Sequence, residues 1–428
     1  MDVTVEGKRR LRGEIFAPPD KSISHRSVML GAVAEGITRV ERFLTADDCL
    51  RTVDCFKKMG VDILFEAPDK VIINGRGLRG LKKPDGPLYA GNSGTTIRLL
   101  SGILAGQGFE ATITGDESIL KRPMGRVVEP LTMMGAVIEG AGGGRYAPLT
   151  IRGGRLKGIR YELPVASAQV KSAILLAGLY AEGETTVIEK HKTRDHTEIM
   201  LAHFGGRIST SDGEVRLTPV DKLSAERVTV PGDISSAAFF MAAAAVTEGS
   251  ELLIRDVGIN PTRTGIIDVL REMGCNIKIY DERIWNGEKV ADVLVKGEGL
   301  RGITIKGEII PRLIDEIPVI AVAAAFAEGE TIIRDAAELR VKESDRIKAI
   351  AVNLRRFGTE VTELEDGMII RGGGFLKPAE FESFGDHRIA MAMAVAALAI
   401  PGPSRIKNAE CVKISFPGFF ETLEEVLC

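Results

Sequence analysis

A polar cluster followed by an almost wholly apolar stretch recurs six times along the chain. Polar residues suit the unpaired N–H groups at a helix start, and a helix that is apolar on all sides is typical of a buried one. The pattern therefore predicts six helices that are rich in apolar residues. They begin at Pro19–Ser22, Gly91–Gly94, Ala166–Gln169, Gly232–Ser235, Asp315–Pro318 and Gly385–Arg388.

A glycine follows these apolar stretches, most clearly where the chain reads Ala-Glu-Gly or Thr-Glu-Gly. Glycine adopts a positive φ without steric penalty, so we expect it to end the helices. The glycines concerned are Gly36, Gly183, Gly249 and Gly329, with looser versions at Gly106–Gly108 and Gly402.

A β-branched strand and a second, amphipathic helix complete each copy. The second helices are predicted to begin at Ala46–Asp48, Lys121–Pro123, Thr193–His196, Asn260–Arg263, Val341–Ser344 and Ser415–Pro417. Five of them are expected to end just before a glycine, at Gly60, Gly135, Gly205, Gly274 and Gly358, where a further strand follows. The unit is therefore β-α-β-α-β-like, with a period of roughly 70 residues.

Six such units predict an α/β protein with two lobes of three copies each and a cleft between them. Turn-rich dipeptides interrupt regular structure at Pro18-Pro19 and near the midpoint at Pro231-Gly232. Because they stand at the edges of the first and fourth copies, we expect the chain to cross between lobes there.

Composition excludes several classes of protein. The 428 residues are 44% hydrophobic and 27% charged, as in a globular protein, and the apolar run Ile389–Ile400 is too short to cross a bilayer. A net charge of −3 offers no general attraction for nucleic acid. The five cysteines show no CxxC pair, which argues against a disulfide framework and a zinc site. The N-terminus lacks the features of a signal peptide, so the expected location is the cytoplasm.

Charged residues gather at the predicted helix starts, where anions are stabilised. Helical spacing places Ser22 and Arg26 on one face with Lys21 beside them, which indicates an anion clamp. The segment Gly91–Arg98 offers glycines, hydroxyls and an arginine, but it lacks the Gly-Lys-Ser/Thr end of a Walker loop. Taken singly, each of these clusters is equally typical of a solvated helix cap.

A second group of charges lies in the last two copies. Lys342 and Arg346 are predicted to share a helix face at i,i+4, with Glu343 beside them. Asp386 and Arg388 begin a helix that is otherwise almost wholly apolar. Recurrence at equivalent points of the repeat predicts one cleft rich in Lys and Arg with a few carboxylates. Such a cleft suits small substrates that carry phosphate and carboxylate groups.

Seven motifs carry a resemblance to a known family. They are Lys21-Ser22-x-x-x-Arg26, Gly91-Asn92-x-Gly94-Thr95-x-x-Arg98, Lys121-Arg122-Pro123-Met124, Ser167-Ala168-Gln169, Arg194-Asp195-His196-Thr197-Glu198, Arg340-Val341-Lys342-Glu343-x-Asp345-Arg346 and Asp386-His387-Arg388. In this order, over essentially the whole chain, they resemble the EPSP synthase (3-phosphoshikimate 1-carboxyvinyltransferase) family of enolpyruvyl transferases.

The resemblance implies a fold and a reaction. The fold is a two-lobed inside-out α/β barrel of six βαβαββ repeats, with lobe one at residues 1–19 and 232–428 and lobe two at residues 20–231. The reaction transfers the enolpyruvyl group of phosphoenolpyruvate to the 5-hydroxyl of shikimate 3-phosphate and releases phosphate, a step of aromatic amino acid biosynthesis. The resemblance implies no metal or cofactor, no nucleic acid or membrane partner, and a monomer.

The resemblance also assigns site residues. The expected catalytic residues are Asp315 as base, Glu343 as proton donor, Lys342 and Lys21. Shikimate 3-phosphate is expected at Lys21, Ser22, Arg26, Ser167, Ala168, Gln169, Arg194, Asp315 and Lys342. Phosphoenolpyruvate is expected at Lys21, Asn92, Gly94, Thr95, Arg98, Arg122, Gln169, Arg346 and Arg388. Ser93, Asp386, His387 and Lys413 are left open as further contacts.

Some positions depart from the better-known bacterial and plant pattern. Leu99 stands in place of Pro, Ala168 in place of a second Ser, and Arg194 in place of a hydroxyl residue, which moves the phosphate grip toward arginine. Lys413 comes one residue early relative to the family's Lys-Thr-Phe-Pro. Gly94 leaves room for the inhibitor glyphosate, but the departures resemble a tolerant class.

Two alternatives stay open. UDP-N-acetylglucosamine 1-carboxyvinyltransferase shares the fold and the first substrate, but typically has Lys-Asn where this chain has Lys21-Ser22, and often a reactive cysteine near the position of Lys121. The other alternative is a non-catalytic repeat protein that binds anions or RNA. The low net basicity and 5% aromatic content, with the lone Trp285, offer little for base stacking.

Overall fold

The chain folds into two compact units. A computed structural model describes residues 1–7 and 10–428. Unit 1 comprises Met1–Pro18, Pro231–Arg283 and Lys289–Cys428, and unit 2 comprises Pro19–Val230 and Ile284–Glu288. The sequence did not predict that the short segment Ile284–Glu288 groups with unit 2. It does so because Glu288 and Asn286 bond to unit 2 residues, through the His196 ring and the Thr229 backbone.

Fifteen α-helices occur in the described residues. They are α1 (Lys21–Val33), α2 (Asp47–Lys58), α3 (Gly94–Ala105), α4 (Glu117–Lys121), α5 (Gly125–Met133), α6 (Ala141–Gly144), α7 (Ala168–Gly178), α8 (His196–His203), α9 (Ile234–Val246), α10 (Gly265–Glu272), α11 (Ile310–Leu313), α12 (Ile317–Phe326), α13 (Arg346–Phe357), α14 (His387–Leu398) and α15 (Phe419–Glu425). Short 3-10 helices span Gly307–Ile309, Ala337–Val341 and Ala409–Ile414.

The strands alternate with these helices. They are β1 (Val3–Glu6), β2 (Arg12–Phe16), β3 (Glu35–Glu41), β4 (Asp62–Ala67), β5 (Lys70–Arg76), β6 (Leu88–Tyr89), β7 (Glu110–Thr114), β8 (Val137–Gly140), β9 (Tyr146–Arg152), β10 (Leu156–Lys157), β11 (Arg160–Glu162), β12 (Ala181–Glu182), β13 (Thr185–Ile188), β14 (Arg207–Ser211), β15 (Glu214–Thr218), β16 (Arg227–Thr229), β17 (Glu251–Gly258), β18 (Asn276–Trp285), β19 (Glu288–Lys296), β20 (Thr304–Ile305), β21 (Gly329–Ile333), β22 (Glu360–Leu364), β23 (Gly367–Gly372), β24 (Glu380–Glu382) and β25 (Pro403–Lys407).

One sheet pattern repeats through the chain. In the second copy the order is β6-β7-β9-β8, where β6 and β7 are parallel and the remaining pairs are antiparallel. The third and fifth copies repeat this pattern as β11-β13-β15-β14 and β20-β21-β23-β22. A parallel pair needs a crossover connection, and the first helix of each copy supplies it. The repeat seen in the sequence is therefore a structural repeat.

The remaining sheets are completed by strands from distant parts of the chain. The first copy takes its parallel edge strand from β16, and the fourth copy takes its own from β2. In the sixth copy β1 pairs antiparallel with β25. Strands β2 and β16 lie next to the two crossings, and β1 lies near the start of the chain, so each unit completes sheets with strands that are distant in the sequence.

The first helix of each copy is buried. All twelve residues of α14 are buried, as are Ile317–Ala325 of α12, and α9 is buried along almost its whole length. Each fully buried Leu, Ile, Val or Met side chain contributes about 1.5–3 kcal/mol, so these helices dominate the core. Buried helices with small sheets packed around them confirm the expected inside-out α/β fold. In the described part of the chain, no helix has both the length and the apolar character that crossing a bilayer would require.

The glycine caps predicted for the first helices are wrong at Gly36, Gly183 and Gly329, since Gly183 follows β12 and the other two lie in strands. Helix α1 ends at Val33, the backbone at Ala34 is already extended, and Gly36 lies inside β3. Gly329 likewise begins β21 and does not end α12. A strand follows these buried helices directly, so the positive φ of glycine serves the strand and not the helix. The second helices behave as predicted, and Gly358 ends α13 with a left-handed φ of 104°.

Candidate active site

Arg26 lies at the centre of the polar groups of unit 2. Asp20 caps α1 by accepting from the N–H of Ile23 at 2.9 Å, which sets the first turn and the face that carries Arg26. The Arg26 guanidinium donates to Thr197 Oγ1 at 2.7 Å and to Ser172 Oγ at 2.8 Å. Burial lowers the pKa of Arg26 to about 10, and Glu198 partly offsets this effect. The side chain therefore stays cationic at neutral pH.

Lys21 stands at the first turn of the same helix. Its Nζ lies 3.1 Å from Asp48 Oδ2, and its side chain keeps a fifth of its surface exposed (19%). Asp48 belongs to the first turn of α2, whose polar start the sequence identified. The exposed part of Lys21 leaves the ammonium able to meet a solvent-borne anion as well.

His25, between these two cations, has a structural role. Its ring Nδ1 lies 2.7 Å from Thr52 Oγ1, and the residue is fully buried. Burial, with the positive charges of Lys21 and Arg26, holds the pKa of His25 well below its usual value. The ring is therefore neutral at pH 7 and joins α1 to α2.

Helices α3 and α7 bring a second arginine together with an amide. The Arg98 guanidinium donates to Gln169 Oε1, and Gln169 Nε2 donates to Thr95 Oγ1 at 3.2 Å. Gln169 lies in the first turn of α7 and Arg98 lies one turn into α3. The start of each helix is thus tied to that of the other. Arg98 and Gln169 were both predicted as ligands of one substrate.

Arg122 provides a third cation next to the start of α3. It lies at the C-cap of α4 and donates to Asn92 Oδ1 at 2.6 Å, while Asn92 Nδ2 donates to Asp116 Oδ2 at 3.1 Å. Gly94 lies against both arginines, because a Cβ built on it would be 3.1 Å from Arg98 Nη1 and 3.3 Å from Arg122 Nη1. The glycine therefore allows two guanidinium groups to approach the N-terminus of α3.

In unit 1, Arg346 holds three carboxylates. The guanidinium lies 2.8 Å from Asp386 Oδ2, 2.6 Å from Glu343 Oε2 and 3.3 Å from Asp315 Oδ1. Burial raises the pKa of Asp386, but the charge and hydrogen bond of Arg346, together with the charge of His387, hold that pKa below its usual value. One buried cation therefore holds carboxyl groups from three different segments close together.

Two further cations lie beside Asp315. Lys342 Nζ is 3.6 Å from Asp315 Oδ1, and Arg388 Nη1 donates to the Asp315 carbonyl oxygen at 3.2 Å. Arg388 also lies 3.8 Å from the buried Glu316. Both cations were predicted from sequence as neighbours of a substrate, and both have a charged partner in unit 1.

The predicted helical placement of Lys342 is wrong. Helix α13 begins at Arg346 with Asp345 as its N-cap, and Lys342 has extended backbone after the 3-10 helix Ala337–Val341. Asp345 accepts from the N–H of Lys348, so capping moves the helix start past the charged run. Lys342 and Glu343 therefore lie in the loop before the helix. From there Lys342 contacts Asp315, and Glu343 contacts Arg346.

Other predicted site residues are used within the fold. Ser93 caps α3 and accepts from the Thr96 N–H and hydroxyl, and Ser167 caps α7 by accepting from the Val170 N–H. The carbonyl oxygen of Ser22 accepts a hydrogen bond from Arg26 Nη1 at 3.0 Å. Ala168 is the first residue of α7. Arg194 lies just before α8, and its positive charge lowers the pKa of the buried Arg26. This effect is smaller than that of burial and than the opposing effects of Glu198 and Asp20.

The two remaining uncertain residues differ in exposure. His387 is buried at the first position of α14, whereas Lys413 is exposed in the 3-10 helix Ala409–Ile414. The catalytic and substrate-binding roles assigned to these residues, and to the other predicted site residues, stay predictions.

Sequence reasoning missed a buried polar group behind Arg26. Lys171, in the middle of α7, pairs with Glu189 at 3.0 Å and with Glu198 at 2.5 Å. In the same motif as Glu198, His196 Nδ1 lies 2.6 Å from Glu288 Oε1. A lone lysine in an otherwise apolar helix was the available signal, since a buried charge must be paired.

Within unit 2, cations lie at the starts of α1 and α3 and at the end of α4, and they are suited to binding anions. Within unit 1, Asp315 and Glu343 lie beside Lys342 and Arg346, and the two carboxyl groups are suited to proton transfer. Among residues 1–7 and 10–428, no three His, Cys, Asp or Glu side chains are grouped as a metal ion would need.

Comparisons with known proteins agree over the whole length. A family model described as EPSP synthase (3-phosphoshikimate 1-carboxyvinyltransferase) matches residues 5–423. A protein of that enzyme name from Thermoanaerobacter sp. (strain X514) is 56% identical over 424 residues, which cover 99% of this chain and 100% of the relative. Another from Desulforamulus reducens is 53% identical over 427 residues, with 100% of both chains covered.

Solved structures give the same picture. An EPSP synthase from Acinetobacter baumannii matches with a TM-score of 0.89 and 48% identity, and the match covers 100% of this chain and 98% of that one. The enolpyruvyl transferase NikO from Streptomyces tendae matches with a TM-score of 0.79 at 18% identity, over 99% of this chain and 96% of that one. The second match supports the fold only.

Proposed function

Because the chain belongs to the EPSP synthase family, as its motifs predicted, we propose that it transfers the enolpyruvyl group of phosphoenolpyruvate to the 5-hydroxyl of shikimate 3-phosphate. The observation that carries this proposal is the 56% identity over 424 residues with a relative of that enzyme name. The bonds of Arg346 to Asp315 and Glu343 support it, because the reaction needs two acid–base groups.

The chemistry requires one group that accepts a proton and one that donates a proton. As the 5-hydroxyl oxygen attacks C2 of phosphoenolpyruvate, Asp315 accepts the hydroxyl proton and Glu343 donates a proton to C3. The resulting tetrahedral intermediate then returns a proton from C3 to Glu343 and releases phosphate, which takes the proton held by Asp315, and the C2–C3 double bond forms again. Lys342, 3.6 Å from Asp315, stabilises the carboxylate that acts as base.

The cationic side chains of unit 2 are proposed to bind the anionic groups of the substrates. Phosphoenolpyruvate carries a phosphate and a carboxylate, and we assign them to Arg98 and Arg122 with Lys21. The side chain of Arg388 in unit 1 is the further cation for this substrate, and Arg346 holds the acids in place. Shikimate 3-phosphate is assigned to Arg26, Arg194 and the start of α7. Guanidinium groups suit both roles, since they bind phosphate and carboxylate in bidentate fashion.

A phosphate-release assay tests the proposal. The purified chain is given phosphoenolpyruvate with shikimate 3-phosphate, with UDP-N-acetylglucosamine, or with no acceptor. We expect phosphate release only in the reaction that contains shikimate 3-phosphate as the acceptor. Release with UDP-N-acetylglucosamine would instead support the related transferase, and salt-sensitive RNA binding without any release would support a non-catalytic protein.

Replacing Gly94 by alanine should weaken the phosphoenolpyruvate site selectively. The added methyl group would stand 3.1 Å and 3.3 Å from the Arg98 and Arg122 guanidinium groups, which must shift by a few tenths of an ångström. We expect the KM for phosphoenolpyruvate to rise about tenfold, since misplacement of anchoring groups weakens binding. Steady-state kinetics with each substrate varied in turn would measure this. An unchanged KM for phosphoenolpyruvate would contradict the assignment of Arg98 and Arg122.

Location, oligomeric state and inhibitor response stay predictions. The cytoplasm is the proposed compartment and a monomer the proposed state. Glyphosate binding is expected to depend on the same space beside Gly94. Gel filtration would test the oligomeric state, and inhibition assays with glyphosate would test the inhibitor response.

A further inference from the structure

Lys171 is buried and is the one charged residue of α7. Its side chain has no exposed surface, and its Nζ lies 3.0 Å from Glu189 Oε2, 2.5 Å from Glu198 Oε1 and 3.5 Å from the Thr193 carbonyl oxygen. Burying a lysine and two carboxylates is costly, and an apolar side chain of similar volume often serves stability as well. The group therefore calls for a role other than stability.

The two acids bound by Lys171 mark the ends of one segment. Glu189 follows β13 and accepts from the Thr193 backbone N–H at 3.1 Å and from the Thr193 hydroxyl. Glu198 lies in the first turn of α8. Arg194 lies between them, so the ammonium of Lys171 ties both sides of the segment that carries Arg194 to α7.

The same segment reaches Arg26 through hydroxyl groups. Thr197, next to Glu198, accepts from Arg26 Nε at 2.7 Å and lies 2.6 Å from the hydroxyl of Ser172. Ser172, next to Lys171 on α7, accepts from Arg26 Nη2 at 2.8 Å. Buried polar contacts thus connect α7, the first turn of α8 and α1.

We propose that Lys171 is a positioning residue for the shikimate 3-phosphate subsite, where it holds Arg194 and Arg26 in the arrangement that binds the phosphate. This inference rests on the proposed function, because that function assigns both arginines to shikimate 3-phosphate. Lys171 itself is too deeply buried to touch a substrate. The phosphoenolpyruvate cations Arg98 and Arg122 have different partners, so loss of Lys171 should affect one substrate and not the other.

The test compares the two substrates in a Lys171→Met variant. Methionine keeps the length of the side chain and removes its charge. We expect the KM for shikimate 3-phosphate to rise at least about tenfold, while kcat and the KM for phosphoenolpyruvate stay within about twofold. Calorimetric titration with shikimate 3-phosphate alone should show the same loss of affinity without any dependence on catalysis.

A matched control is available in the same unit. Gln107 is buried near the C-terminal end of α3 and donates to Leu78 O at 3.1 Å and Ile103 O at 3.3 Å. A Gln107→Leu variant also removes buried polar bonds, yet both KM values should stay at the wild-type level. If Lys171→Met raises both KM values equally, or neither, the positioning role is wrong.

A further variant separates positioning from folding. Lys171→Met leaves two buried carboxylates without their cation, which is expected to destabilise the protein. The triple variant Lys171→Met, Glu189→Gln, Glu198→Gln removes these charges as well. It should regain thermal stability but keep the raised KM for shikimate 3-phosphate, and a wild-type KM would overturn the inference. Absence of phosphate release from the wild-type chain would instead refute the proposed function.

Discussion

Replacing Asp315 by alanine is expected to lower kcat by about 10²–10⁴-fold, the usual contribution of a general base. The carboxylate lies between Lys342 and Arg346, and both cations favour its ionised form. Removing the carboxylate takes away the acceptor for the hydroxyl proton but leaves the cationic residues of unit 2 that bind the substrates unchanged. The KM values for both substrates should therefore change far less than kcat, as measured by steady-state phosphate release.

Two companion variants define this prediction. Asp315→Asn keeps the volume and the polar character of the side chain, and it should be nearly as inactive as the alanine variant if proton acceptance is what matters. Glu343→Gln should likewise reduce kcat far more than either KM. Near-normal turnover in both Asp315→Ala and Glu343→Gln would refute the assigned acid–base roles.

Replacing Arg346 by methionine is expected to abolish measurable activity and to destabilise the protein. The guanidinium is 1% exposed, and its loss leaves Asp386, which is fully buried, without its main cation. Breaking a buried ion pair by removing one partner costs about 3–5 kcal/mol in the free energy of unfolding. Asp315 and Glu343 would also lose the group that holds them together. Urea unfolding and phosphate release would measure the two effects.

Arg371 provides the control for this variant. It also pairs with two carboxylates, Glu330 at 3.3 Å and Glu360 at 3.1 Å, but it lies on the exposed face of β23 in the same unit. Exposed pairs contribute little, so Arg371→Met should leave both stability and turnover near the wild-type values. An Arg346→Met variant as stable as Arg371→Met would contradict the burial argument.

Several features of the fold were predictable because they depend on short-range interactions. Asp20, Ser93, Ser167 and Asp386 each bond to an N–H two or three residues ahead, and each lies in a cluster that the sequence marked as a helix start. The predicted start of α13 was wrong for a related reason. Asp345, within a run of charged residues, is the residue that caps the helix, so the helix begins later than predicted. The charge pattern alone did not distinguish Asp345 from the residues before it.

The sequence by itself determined the sixfold repeat, the family and the identity of most candidate site residues, because capping, hydrophobic periodicity and ordered motifs are properties of neighbouring positions. Only the tertiary structure decided which side chains meet. Arg26 and Thr197 are 171 positions apart, Arg346 and Asp386 are 40 apart, and the buried position of Lys171 follows from how α7 packs. Such contacts arise from the packing of whole helices and sheets, and no local pattern of residues encodes the distance between two charges.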